Sequence, residues 1–131
     1  MKLILFLLLA LTFSVQAHEG HNHGPGQVQP IKGGVILKAD HFYLEVVGTH
    51  TEIRIFPLDM KLKALPLDKI KISASYKLPR AKKAETVSLK SMSDHFHGQI
   101  DSKNTHRYQV DVSIEALGEK ELLTYQIEPE A

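Results

Sequence analysis

From Gly34 onward, apolar and polar residues alternate with a period of two in short runs separated by turn formers, which is the pattern of half-buried β-strands. "GVILK" (34–38) is a short first run, and "HFYLEVVG" (41–48) sets Phe42, Leu44 and Val46 against Tyr43, Glu45 and Val47. "TEIRIFPLD" (51–59) alternates Ile53 and Ile55 with Glu52 and Arg54, and Gly48-Thr49-His50 between these runs is short enough for a hairpin turn. "KIKISASYKL" (69–78) carries Ile70, Ile72, Ala74 and Tyr76 or Leu78 on one side, and "ETVSLKSM" (85–92) carries Val87 and Leu89. "HFHGQI" (95–100) separates Phe96 and Ile100 from His95, His97 and Gln99. "HRYQVDVSIEAL" (106–117) opposes Tyr108, Val110, Val112 and Ile114 to a polar face, and "ELLTYQIE" (121–128) closes with Leu123, Tyr125 and Ile127.

About eight strands at this spacing predict an all-β fold: a single immunoglobulin-like antiparallel β-sandwich, with a partly closed barrel as the alternative. The nearest approach to a helical period, "LDMKLKALPLDK" (58–69), is interrupted by Pro66 and reads as a long connection between strands. No internal repeat is visible.

The first 17 residues follow a different rule. "MKLILFLLLALTFSVQA" has one positive charge at Lys2, an apolar run from Leu3 to Leu11, and small residues at Val15 and Ala17. That is the layout of a cleavable secretory signal, and the run is too short for a comfortable membrane span of roughly 20 residues. The expected organisation is therefore a signal at 1–17, a flexible His-rich tail at 18–30 and a β-sandwich domain at 31–131, with a periplasmic location. No Cys follows the apolar run to take a lipid, and the absence of cysteine throughout leaves stability to packing in an oxidising compartment.

Charge narrows the partners. Without Lys2 the remaining chain holds 15 basic and 15 acidic residues, a neutral total that argues against nucleic-acid binding. The distribution is uneven: nine basic residues face only Asp68 and Glu85 between Lys61 and Lys90, and acidic residues dominate after Asp101. Enzyme templates fail: there is no cysteine nucleophile, no Gly-rich phosphate loop, no G-x-S-x-G elbow and no H-E-x-x-H. The expectation is a binding protein and no enzyme.

Histidine is the compositional departure, with eight in 131 residues. "HEGHNHGPG" (18–26) brings His18, His21 and His23 within six residues behind the expected cleavage point. Cleavage after Ala17 makes His18 the N-terminal residue, whose α-amine and imidazole close a chelate ring on one ion while His21 and His23 add imidazole nitrogens. Imidazole suits divalent Cu, Zn or Ni, and short His-rich tracts are a metal signature. Neutral imidazole is required, so binding weakens below the ordinary His pKa of about 6.5. The plain alternative is a soluble tail without a ligand.

"DHFHG" (94–98) is the second constellation. On a strand, His95 and His97 point the same way, Phe96 between them faces the core, and Asp94 is available as a ligand or as an orienter of one imidazole. Two exposed polar residues on a wet face would look the same. His41, His50 and His106 each stand alone at a strand end or turn, and Met60 and Met92 are too few for a Cu(I) thioether site.

"GGVILKADHFYLEVV" resembles the small N-terminal β-domain of periplasmic adaptor proteins, the membrane-fusion subunits of heavy-metal RND efflux systems. The resemblance continues through "PLDMKLKALPLDKIKISASYKLP" and "ETVSLKSMSDHFHGQI" to the closing strands, and so covers most of residues 31–128. It rests on strand patterns more than on invariant residues. Lys32 stands where that family often carries histidine before the Gly pair, and the sequence stops where an adaptor continues into its helical hairpin. The resemblance thus implies a free-standing accessory role beside an exporter. The implied partners are a metal ion and a periplasmic efflux component, with membrane contact only through the uncleaved signal. A rival of another class is a metal-independent interaction module that docks on an envelope protein through the basic Lys61–Lys90 region.

Overall fold

The alternating runs pair into two antiparallel sheets in the computed structural model, which describes residues 28–129. Nine strands follow in chain order among the described residues: β1 (Val35–Lys38), β2 (Tyr43–Gly48), β3 (Glu52–Leu58), β4 (Lys71–Lys77), β5 (Glu85–Val87), β6 (Leu89–Ser91), β7 (Phe96–Gln99), β8 (Tyr108–Ala116) and β9 (Glu119–Ile127). One sheet has the order β1-β2-β3-β7-β6 and the other β5-β4-β8-β9. The fold is an all-β sandwich. A single 3-10 turn at Leu67–Lys69 lies in the long connection after β3, and no helix among the described residues is long and apolar enough to cross a membrane.

The core falls where the period-two pattern puts it. Leu44, Val46, Ile53, Ile55 and Phe96 from the five-stranded sheet meet Ala74, Tyr76, Val110, Val112, Ile114 and Tyr125 from the four-stranded sheet, all buried. Each fully buried aliphatic or aromatic side chain of this kind contributes roughly 1.5–3 kcal/mol. Two phenols tie the sheets together across that core. The Tyr108 hydroxyl donates to the Thr49 carbonyl at 2.6 Å, and the Tyr125 hydroxyl donates to the Leu44 carbonyl at 2.8 Å. Burial pushes both phenols above their ordinary range, so both stay protonated and keep donating.

The structure departs from the sequence reading at one run and one residue. The run 85–92 is two strands, not one: β5 pairs with β4 in one sheet and β6 with β7 in the other, so the chain changes sheets at Ser88. Alternation continues across that corner, which hides the break. Glu45, on the polar side of β2, is fully buried. Its Oε1 accepts from the Ile31 amide at 2.8 Å, and its Oε2 accepts from the amides of Lys32 at 2.9 Å and Gly34 at 3.0 Å.

The glycine pair makes that contact possible. Gly33 has a φ of 79°, and a Cβ at Gly34 would run into the Val46 carbonyl. Successive amides therefore curl into a concave nest around the carboxylate, with the backbone close against the sheet. Residues 31–34 are strapped across the outer face of the five-stranded sheet.

Candidate metal centre

β7 lies between β3 and the edge strand β6, so its outward side chains stand on the five-stranded sheet's outer face, one strand in from the edge. Register sets His97 opposite Arg54 on β3 and Lys90 on β6, with Glu52 two pairs further along opposite Gln99. His97 Nε2 lies 2.8 Å from Glu52 Oε2. His95, just before β7, has its Nδ1 at 2.8 Å from Asp94 Oδ1, and its ring lies against Phe56 with centroids 4.9 Å apart. Phe56 also carries Lys32 Nζ at 5.3 Å from its ring centroid, and the same ammonium is 4.0 Å from Asp94 Oδ2. His95 and His97 are partly covered, with 18% and 30% of their side chains exposed, which keeps their positions defined while leaving access from solvent.

The carboxylates decide the tautomers. An ionised carboxylate only accepts, so the facing ring nitrogen carries the proton: Nδ1 of His95 and Nε2 of His97. Neutral His95 then offers a lone pair at Nε2, backed by Asp94 in the carboxylate–imidazole arrangement that orients metal-ligating histidines. For His97 the proton and an ion compete for one place. Two ligands about 2.1 Å from a metal at near right angles stand about 3 Å apart, close to the spacing of His97 Nε2 and Glu52 Oε2.

Both carboxyls are held below the ordinary carboxylate range. For Glu52 the main cause is the hydrogen bond from His97, and for Asp94 it is the hydrogen bond from His95. Because the folded-state values lie below the unfolded ones, this stabilisation is complete above the ordinary carboxylate range of about 4 and is lost as pH falls through the depressed values. Thermal melts at descending pH should show the midpoint falling below about pH 4.5. A Glu52→Gln, Asp94→Asn variant should give a shallower acid limb; an unchanged limb would remove these pairs from the account. Both groups are more than a third exposed, so the difference is small.

The other histidines have separate partners. His41 Nδ1 is 3.1 Å from Glu119 Oε2, His50 Nδ1 is 2.6 Å from the Ser102 hydroxyl, and His106 lines a cleft with Arg80 and Arg107. Among the described residues, none of the three forms a compact three-ligand group with His95 and His97. The compact group that does exist there is Asp40, Glu119 and Glu121, whose ligand atoms lie within 4.8 Å of one another. It is acidic, with Asp40 exposed and the two glutamates partly covered, and the Asp40 amide donates to Glu119 Oε1. His18, His21 and His23 lie outside the described residues.

Sequence reasoning missed Glu52 as the partner of His97. The two are 45 residues apart and meet only through the β3–β7 register. No protein-family model, curated protein or solved structure matches this chain. What the fold and the site define is a two-sheet β-sandwich that presents paired imidazoles and carboxylates on one outer face.

Proposed function

We propose that the protein is an exported, periplasmic accessory protein that binds a divalent transition metal (Cu, Zn or Ni) and serves heavy-metal efflux or homeostasis. Its main support is the outer face of the five-stranded sheet, where His97 and Glu52 stand at the spacing of adjacent ligands and Asp94 orients His95. The His-rich stretch supplies His18, His21 and His23, and the Glu45 nest fixes the point from which that stretch departs. Lys32, within the strap, is 4.0 Å from Asp94, so the strap crosses beside this face. Seven residues separate His23 from Ile31, so the contour between the two is at most about 29 Å. The likeness of residues 31–128 to the adaptor β-domain supports the link to efflux.

Calorimetric titration of the chain beginning at His18 with Cu(II), Zn(II) and Ni(II) tests the reading. Native protein should bind at least one of these ions stoichiometrically at neutral pH. Changing His18, His21 and His23 together to Ala should remove most of the affinity, and His95→Ala with His97→Ala should remove a further part. Equal binding by the tail variant would reject the tail as the principal ligand. No binding by native protein would reject the function.

A further inference from the structure

A second polar constellation lies at one end of the sandwich, in a cleft of about 930 Å³ that shares no residue with the histidine face. It is formed by the loop after β4, the loop before β8 and the end of β9. Arg80 comes from the first of these loops, Lys103, Thr105, His106 and Arg107 from the second, and Glu128 from the third. Among the described residues of this lining three cations face one carboxylate, a formal excess of two positive charges with His106 left uncounted. Leu78, Pro79 and Ala81 give the same cleft an apolar wall.

The loop before β8 is built to hold its residues still. Ser102 is fully buried, its amide donates to the His50 carbonyl at 3.1 Å, and its hydroxyl is 2.6 Å from His50 Nδ1. Asp101 Oδ1 accepts the Lys103 amide at 2.9 Å, and the Thr105 amide donates back to the Ser102 carbonyl at 3.0 Å. Lys103 and Asn104 both lie in the left-handed region, with φ of 51° and 56°. Two consecutive residues there, neither a glycine, are uncommon, and the surrounding bonds hold them in place. The Thr105 hydroxyl at the end of this loop is buried and has no hydrogen-bond partner. Thr105 lines the cleft as a residue, with that oxygen turned away from solvent.

We propose that this cleft binds a phosphate monoester. A monoester carries −1.5 to −2 charges near neutral pH, which matches the local excess of two. Arg80 and Arg107 supply planar forks suited to paired contacts with phosphate oxygens, and Lys103 adds a point charge. The apolar wall takes the organic part of the ester, and the volume exceeds what a bare phosphate ion fills. The same chemistry is offered by a soluble organic phosphate and by the headgroup of a phosphatidic acid.

Calorimetry on the full chain at low salt, with phenyl phosphate as probe and benzoate as the carboxylate control, decides the matter. Phenyl phosphate should bind saturably at one site and more tightly than benzoate. Arg80→Gln and Arg107→Gln should each weaken it about tenfold, as expected for a lost charge-assisted pair of bonds. Chelator should have no effect, which separates this site from the metal reading. Vesicles of phosphatidylcholine with and without phosphatidic acid identify the source: co-sedimentation that phenyl phosphate reverses assigns a lipid headgroup, and its absence alongside phenyl phosphate binding assigns a soluble ester. The proposal is overturned by absent saturation, by equal affinity for benzoate, or by indifference to Arg107→Gln.

Discussion

Replacing Glu45 by alanine should cost about 3 kcal/mol of stability and release residues 31–34 from the sheet. The carboxylate is fully buried and receives three amides at 2.8–3.0 Å, all within the strap. Hydrogen bonds to a charged group are worth roughly 1.5–3 kcal/mol each, and an orphaned buried donor costs a comparable amount. The total does not reach three times that figure, because the strap can lift away and let water satisfy its amides. What is then lost is the ordering of the strap and its cover over Phe56. Glu45→Gln should fall between native and alanine, since one oxygen still accepts while the new amide group faces a donor. Hydrogen exchange provides the specific readout: the amides of Ile31, Lys32 and Gly34 should lose protection in the alanine variant while those of β8 keep theirs. A variant that melts with the native protein and retains those amides would show that the nest carries no stability. The same variant matters for metal, because the strap holds the root of the His-rich stretch beside Asp94.

Gly98→Val should be equally damaging for a steric reason. Gly98 pairs with Ile53 on one side and Leu89 on the other, and a Cβ there would strike the Val87 side chain before anything else. Val87 belongs to β5 in the opposite sheet, and the chain crosses from β5 to β6 through Ser88, whose carbonyl also lies close to that position. The glycine therefore lets the sheet-changing corner pass against β7. Overpacking a core position costs typically 1–3 kcal/mol, so Gly98→Ala should lose about 2 kcal/mol and Gly98→Val about 3 or more. Because the closest obstruction is the Val87 side chain, Val87→Ala combined with Gly98→Ala should lose less than the sum of the two changes. Strict additivity in denaturant unfolding would mean that the corner moves freely and the close contact is unimportant. His97 precedes this glycine, so a displaced β7 should also weaken the His97–Glu52 pair.

How much of this was legible beforehand can be judged residue by residue. The alternation at Phe42, Leu44 and Val46, at Ile53 and Ile55, and at Tyr108 through Ile114 identifies the buried face correctly, because a strand exposes successive side chains to opposite sides. The same rule puts His95 and His97 on one side, and they lie there. It also set Glu45 on the face opposite the core, and Glu45 is buried there as well. Alternation reports which side of a sheet a residue occupies and says nothing about whether another segment covers that side. The run 85–92 was readable as β, but its break at Ser88 was not, since alternation survives a change of sheet.

The sequence by itself determined strand content and the composition of the core, because each follows from periodicity over a few neighbouring residues. Tertiary structure alone decided that Glu52 meets His97, that Asp94 shares the strap's lysine, and that Arg80 lines one cleft with Lys103 and Arg107. Those encounters depend on strand order and register between segments tens of residues apart. Local propensity carries no term for them; the packing of the whole sandwich selects them.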